Sequence, residues 1–217
     1  MARLKLGVLV SGRGSNLQAL IDACRDPAFP AEIAVVISNR ADAQAIARAE
    51  AAGIATAVIP HRQFASRADF DAAVDARLRQ AEVALVCLAG FMRLLTTGFV
   101  AAWFDRMINI HPSLLPSFKG LHPQQQAIDA GVRLSGCTVH YVRDEMDAGP
   151  IIVQAMVPVL PDDDESRLAD RILTAEHAAY PLAVRLIADG RVTVSGERTL
   201  VSGGGWPAAP VLVPTAA

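Results

Sequence analysis

Short, nearly continuous apolar runs alternate along this chain with longer segments whose apolar residues recur three and four apart. Leu4–Val10 (LKLGVLV) is a run of the first kind. Residues 16–25 are of the second kind, with Leu17, Leu20, Ile21 and Cys24 on one face. The first pattern predicts a buried strand and the second an amphipathic helix. Residues 32–37 then read as a second strand, and 41–52 as an alanine-rich helix stopped at Gly53. Residues 55–59 read as a third strand, Arg67–Gln80 as a helix, and 83–89 as a fourth strand. That last run is wholly apolar, as expected of a strand covered on both faces near the middle of a sheet. Strands alternating with helices predict the α/β class: a doubly wound, mostly parallel sheet with helices on both faces, of Rossmann type.

The second half has a different rhythm. Residues 107–110 read as a strand that runs into a proline-rich loop over 111–120, followed by a short helix over 123–130. Two further strands, 136–143 and 150–158, flank a polar loop at 144–149. Asp162, Asp163 and Asp164 stand where a helix cap and a negative first turn belong, so a long helix is expected to run to about residue 188. A turn at Asp189-Gly190 and an edge strand over 191–194 complete the pattern. The pattern predicts one domain over residues 1–195 and a tail over 196–217. The end of that tail, GGGWPAAPVLVPTAA, holds too much glycine, proline and alanine to pack.

Composition narrows the function classes. The chain has 217 residues, is 52% hydrophobic and carries a formal net charge of -2, with no Lys/Arg cluster, so nothing points to nucleic acid as a partner. Its three cysteines are far apart and form no CxxC pair, which suggests neither a disulfide framework nor a zinc knuckle. No apolar run is long enough to span a bilayer, so no membrane partner is expected and the cytoplasm is the expected compartment. The five histidines show no metal-ligand spacing, and no metal is expected.

Two segments carry candidate chemistry. The first is Ser11-Gly12-Arg13-Gly14-Ser15-Asn16, between the first strand and the first helix. Glycines let backbone approach an anion, and a helix N-terminus offers unpaired N–H groups. A capped, tight βα turn explains the same residues. Leu17 stands where a dinucleotide fingerprint needs its third glycine, and Ser38-Asn39-Arg40 ends strand two without a ribose-binding acid. A phosphomonoester is therefore the favoured ligand of this loop. The second segment is Asn109-Ile110-His111-Pro112. Residues two apart in an extended chain point the same way, so Asn109 and His111 project together at the C-terminal end of a strand, where open α/β sheets hold ligands. An amide donor beside an imidazole suits stabilising a carbonyl oxygen that gains charge under attack. Asp147, on the polar loop, is the candidate partner that would hold the ring charged and oriented, with Asp144 and Glu145 as competitors. An ordinary loop histidine remains the alternative. No serine or cysteine sits in a nucleophile elbow, which argues for direct transfer without a covalent intermediate.

The segments SGRGSNLQALIDAC, LAGFMRLL, NIHPSLLPSFKGLHPQQQAI, DEMDAGPIIVQ and AEHAAYP occur in that order over residues 4–194. Together they resemble the folate formyltransferase superfamily, and within it the branch that formylates glycinamide ribonucleotide. Gly120-Leu121-His122 after the proline-rich loop fits that branch. The extra C-terminal domain of the tRNA-directed branch and the N-terminal regulatory domain of the deformylases are not expected here. The resemblance implies transfer of the formyl group of 10-formyltetrahydrofolate to the amine of glycinamide ribonucleotide, in purine biosynthesis. It implies Asn109, His111 and Asp147 as catalytic residues, and Gly14, Ser15, Asn16 and Glu176 as ribonucleotide-binding residues. Arg67, Met92, Arg93, Leu94, Leu95 and Asn109 would contact the folate, and residues 143–147 would close over its pteridine. The N-terminal half would then hold the phosphate and the C-terminal half the folate and the catalytic groups. Ala148 stands where some relatives carry glycine. The neighbouring alternatives are a formyltetrahydrofolate deformylase using water as acceptor, a dinucleotide-dependent oxidoreductase and a non-catalytic nucleotide-binding module.

Overall fold

A computed structural model describes residues 2–205, 209 and 213. Seven strands form one sheet in the order β3-β2-β1-β4-β5-β6-β7. They are β1 (Leu4–Val10), β2 (Ala31–Ser38), β3 (Thr56–Val58), β4 (Leu85–Leu88), β5 (Met107–His111), β6 (Leu134–Tyr141) and β7 (Ile151–Pro158). The first five are parallel; β6 and β7 are antiparallel additions. The wholly apolar β4 lies at the centre, as its composition predicts. The chain first winds outward from β1 through β2 to β3, then crosses back to β4. The C-terminal ends of β1 and β4 therefore flank the point where the winding reverses, the usual ligand crevice of such sheets.

Each strand sends alternate side chains into one of two apolar layers. Val8, Val10, Cys87, Ile108 and Ile110 join Leu17, Leu20 and Ile21 of α1 (Ser15–Arg25) and Ile172, Tyr180 and Val184 of α6 (Glu165–Ala188). Leu9, Val86, Leu88 and Met107 join Phe70, Val74 and Leu78 of α3 (Arg67–Gln80) and Phe99 and Val100 of α4 (Thr97–Ala102). Full burial of such side chains contributes about 1.5–3 kcal/mol each. Parity fixes the site as well: with Ile108 and Ile110 under α6, Asn109 and His111 must face the other way. Tyr180 ties α6 to the sheet through a 2.8 Å hydrogen bond from its hydroxyl to the Leu88 carbonyl.

Several local expectations are corrected. The helix α2 spans Gln44–Ala51 and starts later than its alanines suggest, because Arg40 and Asp42 pair with each other in a turn ahead of it. The helix α4 was not expected from the pattern. It is only six residues long, and Thr96 caps it by accepting from the Phe99 N–H. A one-and-a-half-turn helix is too short to display a period. His61–Gln63 forms a single 3-10 turn, and α5 spans Pro123–Asp129. The expected edge strand is instead half of a separate hairpin, β8 (Val192–Ser195) with β9 (Arg198–Val201), paired antiparallel. Ordered structure therefore extends past residue 195, into the segment read from sequence as tail. The expected loose end, 203–217, lies outside the described residues except at 203–205, 209 and 213.

Candidate active site

The first βα turn is built for close approach. Gly14 caps α1 at φ 75°, a left-handed conformation that favours glycine. A Cβ there would also lie 2.6 Å from the Ala45 side chain. The first N–H groups of α1 have no partner within the helix, and this end of its dipole favours an anion. They open on a cleft of about 520 Å³ lined by residues 11–16, Asn39, Arg40, His61, Ala89, Gly90, Met92 and Arg93. Its floor is held by Ser11, which donates to Asn39 Oδ1 at 2.6 Å and accepts from the Met92 N–H at 2.9 Å. One serine thus joins the ends of β1, β2 and β4.

Glu176, distant in sequence, arrives beside this turn from α6. Asn16 Nδ2 donates to its Oε2 at 2.7 Å, while Asn16 Oδ1 is buried with no partner. Burial pushes the Glu176 carboxyl up to about 6, with the Asn16 hydrogen bond opposing the rise. A buried acid beside an unsatisfied amide oxygen is an arrangement ready for hydroxyl or amine donors.

Asn109 and His111 lie at the C-terminal end of β5 and face the same way, and the loop after β6 brings Asp147 back to them. His111 Nδ1 is 3.4 Å from Asp147 Oδ2, and His111 Nε2 is 2.9 Å from the Phe118 carbonyl oxygen. Both ring nitrogens thus face acceptors, the arrangement that suits a doubly protonated, charged ring. Asp147 Oδ2 also accepts from the Gly120 N–H at 2.8 Å, so the carboxylate links the proline-rich loop to the polar loop. His111 is 5% exposed, and the Asp147 side chain 11%. Bulk solvent is therefore largely kept from the pair, while the part-exposed carboxylate can still meet a single water. The Asp147 backbone sits at φ 49°, and Gly149 at φ 114° packs against the Tyr141 carbonyl. Asp144 and Glu145 are exposed, and Glu145 pairs with Lys119 at 2.7 Å. Of the three loop acids, Asp147 is the one that lies within ion-pair distance of His111.

The remaining expected residues are less uniform. Met92 and Arg93 line the cleft; Met92 is 74% exposed, and Arg93 lies over the Phe70 ring with a buried, unpartnered Nε. Leu94 is exposed, and Leu95 packs on the α3 side of the sheet. Buried Asp71 steadies this segment by accepting from the Thr96 N–H at 2.7 Å. Arg67 is exposed in the first turn of α3 and does not line the cleft. The cleft walls reach Asn109 through register, because Leu88 pairs with Asn109 and Ala89-Gly90 follow directly. Sequence reasoning missed His140, which stands opposite Asn109 on β6, with its Nε2 3.4 Å from Asn109 Nδ2. The one signal that could have found it is the two-residue alternation of β6, once that strand is paired with β5. Among the described residues no group of three or more His, Cys, Asp or Glu is placed to hold a metal ion.

A doubly wound sheet that carries an amide, an imidazole and a carboxylate at the same edge as its glycine turn fits a group-transfer enzyme of the α/β class, and comparison with known proteins gives the family. The formyl transferase family pattern matches residues 4–184, and the chain belongs to that family. It is 43% identical over 200 residues to the phosphoribosylglycinamide formyltransferase of Escherichia coli, covering 92% of this chain and 94% of that one. It is 52% identical over 197 residues to the trifunctional purine biosynthetic protein adenosine-3 of Drosophila melanogaster, but spans only 15% of that protein's length. The solved glycinamide ribonucleotide transformylase 1 of Symbiobacterium toebii superposes with a TM-score of 0.90 at 49% identity, covering 92% and 94% of the two chains. A formyltetrahydrofolate deformylase from Pseudomonas syringae is more distant, at 29% identity and a TM-score of 0.85, with 66% of its chain covered.

Proposed function

We propose that this chain transfers the formyl group of 10-formyltetrahydrofolate to the amine of glycinamide ribonucleotide. The observation that carries the reading is the placement of Asn109, His111 and Asp147 at the C-terminal end of β5, with only β4 between that strand and β1, which leads into the Gly14 turn. The turn and Asn16 grip the ribonucleotide phosphate, and Glu176 accepts from its hydroxyl groups. Binding energy spent there fixes the amine at the reacting carbon. Arg67, Met92, Arg93, Leu94 and Leu95 hold the folate, Met92 and Leu94 offering exposed apolar surface to it.

The amine nitrogen forms a bond to the formyl carbon, and the carbonyl oxygen takes the electron pair. Asn109 donates to that oxygen, and the positive charge of His111 stabilises it. Asp147 keeps the ring charged and oriented. The bond from carbon to the folate nitrogen then breaks, as the proton leaving the amine passes by way of a water near Asp147 to that nitrogen. The reactants are soluble small molecules, which fits a cytoplasmic enzyme of purine biosynthesis.

The chain is to be incubated with 10-formyltetrahydrofolate, with and without glycinamide ribonucleotide. The expected result is formamide product only when the amine is present, with little free formate in either case. Formate released at the same rate without the amine would identify water as the acceptor and the chain as a deformylase.

A further inference from the structure

Asn109 on β5 pairs directly across the sheet with His140 on β6. Asn109 Nδ2 is 3.4 Å from His140 Nε2, and His140 Nδ1 is 2.9 Å from the Tyr141 carbonyl oxygen. A carbonyl oxygen only accepts, so the ring proton belongs on Nδ1. In the neutral ring Nε2 then presents a lone pair, which requires a donor. The two ends of a primary amide have nearly the same shape, and only hydrogen bonding selects which way such a group points. We propose that His140, neutral and protonated at Nδ1, is a positioning residue that orients the Asn109 amide, so that its second N–H is presented to the formyl oxygen. This rests on the reading of Asn109 as the oxyanion donor.

The surroundings of His140 favour the neutral ring. It is 2% exposed, and burial pushes its pKa below the ordinary histidine value. Of the charged groups that face it, Asp147 on the polar loop opposes that shift and His111 on β5 reinforces it, while the Tyr141 and Ala148 backbone also favours the charged ring. Two histidines on one sheet face thus take opposite roles. His111, between two acceptors, suits a charged ring. His140, between an acceptor and an amide donor, suits a neutral one.

The tautomer can be read on the wild-type protein. Long-range proton–nitrogen spectra of histidine-labelled enzyme at neutral pH, assigned by the signal lost in His140→Gln, should show His140 protonated at Nδ1 and bare at Nε2. Protonation at Nε2, or a charged ring, overturns the proposal. Kinetics then separate positioning from packing. His140→Leu removes the acceptor and should lower kcat by at least about tenfold with both KM values unchanged. His140→Gln restores an acceptor oxygen and should recover most of that loss. The Asn109→Ala/His140→Leu double variant should be no slower than Asn109→Ala alone, because His140 acts only through Asn109. A fully active His140→Leu beside a slow Asn109→Ala sinks this proposal alone. An Asn109→Ala variant as fast as wild type sinks the oxyanion reading and the proposal with it.

Discussion

Glu176 is buried on α6, with one oxygen on Asn16 and no cation within ion-pair distance among the described residues. Its carboxyl is pushed up to about 6 by burial, from an ordinary 4.5. The folded chain therefore holds this proton more tightly than the unfolded chain. Stability from this group is fully present below about pH 4.5 and is lost as pH rises through about 6; the ionised form then costs about 2 kcal/mol. Glu176→Gln keeps the shape and an acceptor for Asn16 but has no charge to bury. Relative to wild type, it should be more stable by up to about 2 kcal/mol at about pH 8 and nearly equal at about pH 4.5, read from urea midpoints. Its KM for the ribonucleotide should rise. An equal stability difference at both pH values would contradict the account. Residues of this kind were only half legible in the sequence. The pairing of Asn109 with His111 follows from the two-residue period of a strand. The reach of Glu176 to Asn16, 160 positions apart, depends on how α6 lies across the sheet, which no local pattern encodes.

The loop carrying Asp147 is held at two points. At its far end Gly120 and His111 contact the carboxylate, and at its near end Arg143 is clamped. The Arg143 guanidinium lies 4.1 Å from the centre of the Phe104 ring, pairs with Asp105 at 2.8 Å, and reaches Glu197 in the turn of the β8–β9 hairpin at 3.3 Å. Thr199 of the hairpin also donates to the Ile151 carbonyl. A hairpin beyond the matched family region thus buttresses, through Arg143, the loop that carries Asp147. Arg143→Ala should lower turnover by roughly tenfold to a hundredfold by letting Asp147 drift, and should speed hydrogen exchange at the Gly120 amide. Unchanged exchange and turnover would show that the clamp does not position the loop. The edge strand expected over 191–194 falls on β8, but its partner β9 was hidden, because four residues that bury little resemble a polar tail.

At the scale of the molecule, the sheet does the gathering. Apolar runs in β1, β4 and β5 announced a parallel core, and their C-terminal ends bring the Gly14 turn, residues 90–92 and Asn109 to one edge of the sheet. The antiparallel turn-back of β6 and β7 was less legible, because a buried strand reads alike in either direction. Yet it places His140 opposite Asn109 and returns Asp147 to His111. No helix among the described residues is long and apolar enough to cross a membrane. The central claim, that this face stabilises a formyl oxyanion, is tested most directly by single-turnover formyl transfer in Asn109→Ala with both substrates saturating. The account predicts a chemical step slower by about a hundredfold to a thousandfold, with folding and binding of both substrates intact. A step as fast as that of the wild type would contradict it.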